Sequence, residues 1–344
     1  MTTPLNTRPD TAVDDGDRPA PRPAYRRWLS SAATRILFVL IGLVALFTIL
    51  RPGSFATGAN LSNIASDASI LLVLAVGATF VIVTSGIDLS VNGVLVFSGV
   101  IAAKVMVAFG GDGPATLIAG LLGALVVGAG WGLINGVLIA RARIPALIVT
   151  LGTLGMSLGF ALLITGGVDV RDVPLSLALS IGSGRFAGIP ALVVIAGATA
   201  LVGGIILAKT RFGRYTYAVG SNQEALRRAG VNTKLHLIKV YALAGLLAGL
   251  AGYLSVARFA TTTISGHSTD NLQTIAAVVI GGASLFGGVG TMIGTVIGVF
   301  IPTVLQNGFV VLGIQPFWQQ VAVGAVLISA VYLDQLRRRA RERG

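Results

Sequence analysis

Ten apolar stretches run through this 344-residue chain, and no other feature constrains its fold as strongly. They fall at roughly 32–50, 67–84, 90–109, 115–140, 144–165, 190–208, 237–257, 272–286, 290–308 and 317–334. A membrane crossing takes about 20 apolar residues, so ten crossings use about 200 positions and leave short connections. Only 11% of the residues are charged, against about a quarter in a soluble domain. A water-soluble enzyme and a free nucleic-acid binder are excluded on that ground. In lipid each segment must satisfy its own backbone amides. The chain is therefore read as an all-α polytopic membrane protein with about ten transmembrane helices.

The net charge of +12 is placed as a bilayer requires. With the N-terminus inside and sides alternating, the inner face collects Arg8, Arg18, Arg22, Arg26, Arg27 and Arg35, the turn Arg141 and Arg143, seven cations between 209 and 239, and five Arg after 336. The outer face holds only Arg51, Arg171, Arg185 and Arg258. Such an excess of Lys and Arg on one side marks it as cytoplasmic, so both termini are expected there. Residues 1–31, rich in Pro, Asp, Thr and Arg, read as a disordered cytoplasmic tail. No small-residue cleavage site follows, so the first stretch reads as a retained helix. The membrane domain is expected over 32–336, with a cytoplasmic loop at 209–236 and a basic tail at 337–344.

Glycines recur four apart at Gly128, Gly132 and Gly136, at Gly245 and Gly249, and at Gly290, Gly294 and Gly298. That spacing lines one helix face with small residues and lets backbones approach. Gly281, Gly282, Gly287 and Gly288 interrupt the eighth and ninth stretches, which leaves those two open between full spans and re-entrant elements. The glycine-rich segments 77–99 and 281–298 are candidates for related halves of an internal repeat.

Several absences narrow the function. There is no cysteine, hence no thiolate chemistry. Intramembrane ionisable groups mark proton and ion pathways, and few are present. Lys104 can snorkel, Asp67 and Asp88 sit at expected helix starts, Asp88 is read as a helix cap, and His236 and His267 read as isolated interfacial residues. None of the four lysines follows a glycine, so the Gly-Lys-Ser/Thr of a P-loop is missing. If ATP drives this protein, another chain binds it. No cofactor and no metal site is expected.

The long inner loop contains SNQEALRRAG. Ser221 is read as its N-cap, with Glu224 completing a capping box, Glu224 and Arg228 forming an i,i+4 pair, and Gly230 ending the helix. Two readings stand: a rigid knob that a partner pushes, or an interfacial helix on anionic lipid.

Five linked stretches carry a resemblance to a known family. They are SGIDLSV at 85–91, LINGVLIARARIPALIVTLGTLGMSLGFALLITGG at 133–167, RFGRYTYAVGSNQEALRRAGV at 211–231, IAAVVIGGASLFGGVGTMIGTVIG at 275–298 and PFWQQ at 316–320. From about residue 60 to 335 the chain resembles the permease subunits of bacterial ABC importers of the ribose, xylose and arabinose type. It departs from them at Asn92 and Gly93, where the family commonly has Gly-Ser, and at Leu226.

The resemblance implies an inner-membrane permease with a separate ABC ATPase subunit, a second permease chain and a periplasmic or surface solute-binding protein as partners. It implies that Gly220, Ser221, Asn222, Glu224, Ala225, Arg227, Arg228 and Gly230 form a coupling helix on the ATPase. Gly86, Asp88 and Ser90 belong to its signature without an assigned role. Asn135 and Gln273 are polar groups in the membrane part with no assigned contact. The solute expected is small and uncharged, most simply a monosaccharide. Nucleosides or amino acids in the same permease type, an ATP-independent channel and an ion-coupled carrier are the alternatives.

Overall fold

The computed structural model describes residues 32–315, 317–322, 324–325, 328–329, 331–332 and 335. The tails expected at 1–31 and 337–344 lie outside the described residues, as does Pro316.

The described chain is helical almost throughout: α1 Ala32–Leu50, α2 Gly58–Val83, α3 Val91–Phe109, α4 Pro114–Ala140, α5 Ala146–Thr165, α6 Ala191–Lys209, α7 Arg211–Arg228, α8 Thr233–Phe259, α9 Asp270–Ile280 and α10 Met292–Leu312. Residues 317–322 begin a further helical segment. Eight of the helices are long and apolar enough to cross a membrane, α7 and α9 being the two that are not. The helices start where the local chemistry supplies acceptors for free N–H groups. Thr57 caps α2 through Asn60, Asn232 caps α8 through Leu235, and Thr291 caps α10 through Gly294.

Burial ranks the helices. In α2, 94% of the apolar window is inside the protein, and in α8 78%, whereas α1 has 17% and lies on the periphery. The central α8 runs against α4 along the glycine faces. A Cβ on Gly132 would strike the Tyr241 carbonyl, and one on Gly128 would strike that of Gly245. A Cβ on Gly245 would in turn meet Gly128. Lipid offers no hydrophobic drive for helix association, so this close backbone contact holds the pair together. Gly294 and Gly298 play the same part between α10 and α9, meeting Gly281 and Ala277. The four-residue glycine spacing is thus helix packing at every position but Gly290, which precedes α10 and packs on Val83 and Ala283.

The eighth and ninth apolar stretches resolve differently from each other. The ninth is α10, 21 residues long. The eighth is α9, only 11 residues, or about 16 Å at 1.5 Å per residue, half of a ~30 Å hydrocarbon core. Its non-helical flanks are only partly covered by protein: Thr262, His267 and Ala283 are buried, whereas Ser265, Ser268, Phe286 and Val289 are exposed. Asn92 Nδ2 donates to the His267 carbonyl at 3.3 Å, and Asn271 Nδ2 to the Leu89 carbonyl at 3.4 Å. The two glycine-rich segments also touch: Gly288 N–H donates to Val83 O at 2.9 Å and Ser85 Oγ to Phe286 O at 2.8 Å.

Candidate translocation cavity and coupling surface

A cavity of about 450 Å³ opens among α2, α8, α9, α10 and the start of the last helical segment. Its position follows from topology. Segment 260–269 joins the C-terminal end of α8 to the N-terminal end of α9, and Asp67 lies nine residues into α2 from its N-terminal end. The lining is polar: Ser265, Ser268, Thr269, Gln273, Gln306, Gln319 and Gln320, with the Asp67 and Asp270 carboxylates and the Phe259 ring beside them. Among the described residues no Lys or Arg lines it. At the rim Asp67 is neutralised by Arg258, whose Nη2 is 3.0 Å away.

Two expectations about ionisable groups are corrected here. His267 is neither isolated nor interfacial: it is buried and bonds on both nitrogens. Nδ1 lies 2.7 Å from Asp270 Oδ2, while Nε2 lies 2.7 Å from Ser255 Oγ and 2.8 Å from Thr263 Oγ1. The carboxylate accepts only, so Nδ1 carries the proton and Nε2 receives the hydroxyls in the neutral ring. His236 is likewise buried at the inner end of α8, with Nε2 3.1 Å from Thr216 Oγ1 and the Phe212 ring against it. Within short apolar segments His236 looks alone because Phe212 and Thr216 are distant in sequence, and His267 because Ser255 lies on α8, although Thr263 and Asp270 are close to it in the chain.

Asp88 does not cap α3. Its Oδ1 accepts from Ser90 N–H at 2.9 Å and Ser90 Oγ–H at 2.6 Å, holding the turn that enters the helix. The chain of bonds continues inward. Asn135 Nδ2 donates to Ser90 Oγ and Thr153 Oγ1 donates to Asn135 Oδ1, each at 2.8 Å. All four residues are buried, so the signature Asp88 and Ser90 pin the α2–α3 turn to α4 and α5. Gly86 packs under the Tyr241 hydroxyl. Asn135 therefore belongs to a packing network, whereas Gln273 lines the cavity.

The 209–236 segment is mostly helix rather than loop. Thr210 caps α7, and Gly213, Thr216 and Val219 are buried along one face of it. The helix bends at Asn222, whose φ and ψ are −159° and 93°. That residue, not Ser221, caps the second half: Ala225 N–H donates to Asn222 Oδ1 at 2.9 Å. Ser221 Oγ instead donates to the Tyr217 carbonyl, so the capping box does not form. Glu224 pairs with Arg227 at 2.8 Å and Arg228 at 3.4 Å, and Gly230 ends the element at φ +82°. At the bend Gly220 is packed onto Val83 and Gly288, close enough that a side chain would collide with both backbones. Asn222, Glu224, Ala225, Arg227 and Arg228 remain exposed.

Residues 60–331 match the family described as the permease component of branched-chain amino acid transport systems. The chain belongs to this family. The ribose import permease of Escherichia coli K12 is 38% identical over 312 residues, 90% of this chain and 95% of that protein. The D-allose transport permease of the same strain is 34% identical over 300 residues, 87% and 90% of the two chains. The fructose import permease of Rhizobium meliloti is 34% identical over 317 residues, 89% and 86%. No solved structure matches. The resemblance in the five sequence motifs is borne out, and this permease is a multi-pass membrane transport subunit, not an enzyme.

Proposed function

We propose that this permease is the membrane-spanning subunit of an ABC importer that moves a monosaccharide inward by alternating access. The observation that carries the reading is the cavity lining. A sugar needs donors and acceptors for its hydroxyls and an apolar face for its ring, and the cavity offers glutamine amides, serine and threonine hydroxyls and Phe259. An amino acid would bring a carboxylate, and no cation lines the cavity to receive it. That favours the sugars in the relatives' names over the amino acids in the family's description.

Two permease chains would face each other, with an ATPase beneath and a solute-binding protein above. The exposed half of α7 beyond Asn222, carrying Glu224, Ala225, Arg227 and Arg228, is the surface on which the ATPase would dock. Gly220, against Val83 and Gly288, would pass its motion to α2 and the α9–α10 loop. A docked helix fixed at one end to packed backbone transmits displacement, while a free loop would absorb it.

Two measurements test this. Purification from native membranes in mild detergent should recover a stoichiometric chain bearing a P-loop. Deletion of the permease should abolish uptake of one or more labelled pentoses or hexoses and leave leucine and nucleoside uptake intact. Loss of leucine uptake alone would overturn the sugar reading, and recovery of the permease without any ATPase would favour a channel.

A further inference from the structure

Ser255 on α8, Thr263 on the connecting segment and Asp270 on α9 converge on the His267 ring. Burying polar groups within a membrane protein is costly unless each is matched; here Ser255 and His267 are buried and Thr263 and Asp270 partly so, and the matching is nearly complete. Both His267 nitrogens are engaged, and one carboxylate oxygen, Oδ2, is held at 2.7 Å. The exception is Asp270 Oδ1, which has no protein partner among the described residues. Asp270 lines the cavity and keeps 16% of its side chain accessible. A carboxylate fixed through one oxygen and open through the other, beside neutral amides and an aromatic ring, is suited to accept hydroxyl hydrogens. Hydrogen bonds to an ionised acceptor are the stronger kind.

We propose that Asp270 is the specificity-determining acceptor for solute hydroxyls in this cavity, and that His267 is the positioning residue that aims it. The assignment rests on the monosaccharide reading above and goes further by naming the groups that select the sugar. His267 fixes the carboxylate from behind, and Ser255 and Thr263 fix His267. Gln273, Gln306, Gln319 and Gln320 supply uncharged partners around the remaining hydroxyls. The competing role for Asp270 is purely structural, because an acidic residue in the first turn of α9 also stabilises that helix through its dipole.

The test uses the complete transporter in proteoliposomes, with a sugar that the unaltered protein carries and its monodeoxy analogues. Asp270→Asn and His267→Gln should each lower the maximal transport rate of the parent sugar by about tenfold, the size of one lost charged hydrogen bond. The half-saturation concentration, which the binding protein sets, should not move, and binding-protein-stimulated ATP hydrolysis should persist. Discrimination against one particular deoxy analogue should collapse in both variants. Ser255→Ala combined with Thr263→Val should weaken discrimination against that same analogue.

Asp270→Asn with an unaltered rate and analogue profile would overturn the proposal. So would an equal loss for every analogue together with a fall in melting temperature and ATP hydrolysis, the pattern of a structural role. If Asp270→Asn does not insert, Asp270→Glu is read in the same assay, where a shifted analogue profile supports the proposal and an unchanged one sinks it. Absence of any sugar transport by the unaltered protein would remove the monosaccharide reading itself and the proposal with it.

Discussion

Tyr217 donates its phenolic hydroxyl to the Gly290 carbonyl across 2.7 Å, tying α7 to the loop between α9 and α10. Burial pushes this phenol above its usual range, so it remains a donor at neutral pH. One turn on, Gly220 is wedged between Val83 and Gly288. α7 is therefore in direct contact with both α2 and the α9–α10 loop, the path along which a docked ATPase would act. Tyr217→Phe removes a bond worth about 1 kcal/mol net, so the protein should still insert, while solute moved per ATP hydrolysed falls by about fivefold. Gly220→Val should have a larger effect because its side chain has no room. Stoichiometry measured in proteoliposomes decides the matter, and an unchanged ratio in both variants would show that these contacts transmit nothing.

The Glu224 pairs with Arg227 and Arg228 are exposed, with side chains 51%, 61% and 80% accessible. Exposed ion pairs contribute about 0–1 kcal/mol, so Glu224→Lys should leave the melting temperature within a degree or two. Uptake should nevertheless fall by at least tenfold if this surface seats an ATPase, since reversing a charge at an interface places like charges together. Ala225→Trp should do the same by bulk. Normal uptake by both variants at normal membrane levels would refute the docking surface.

Asn135 stands between Ser90 and Thr153, accepting from one and donating to the other. Asn135→Ala removes one partner from each of two buried hydroxyls, which keep Asp88 and the Val149 carbonyl respectively, at about 1 kcal/mol per bond. The detergent melting temperature should drop by several degrees while ATP stimulation by the binding protein survives in the folded fraction. Thr153→Val should cost less alone and add little to Asn135→Ala, because both break the same chain. Fully additive losses would mean that the network is not cooperative.

The all-α polytopic architecture and the glycine faces of α4, α8 and α10 were legible because apolar length and four-residue spacing are local signals. The α7 bend was partly legible: Gly230 and the Glu224 pairs stand as read, but the cap moved from Ser221 to Asn222 because Tyr217 takes the serine hydroxyl. The polar clusters were not legible. His267 meets Ser255, Thr263 and Asp270 only because α9 is too short to span and its leading segment folds back against α8. Asn92, a departure from the family's pattern, holds the His267 carbonyl from across the fold. A reading based on apolar windows sees neither contact, since nothing in one window names the other. A hint lay in the concentration of Ser, Thr, His, Asp, Asn and Gln between 261 and 274, which is too polar for a simple outer loop leading into a span.

The glycines divide into two groups that mutation should separate. Gly128, Gly132 and Gly136 on α4 are pressed against the α8 backbone, whereas Gly152, Gly155 and Gly159 on α5 have open space where a Cβ would stand. Adding one methyl at Gly132 forces two backbones apart, and overpacking of this kind costs about 1–3 kcal/mol. Gly132→Ala should reduce the folded amount in the membrane severalfold and lower the melting temperature. Gly155→Ala should be neutral or slightly stabilising within this chain, since alanine is the better helix former by about 1 kcal/mol in a helix interior. Should Gly155→Ala instead leave stability intact and destroy uptake, the open α5 face would be an interface with another chain, and chromatography of the variant would then show the assembly coming apart.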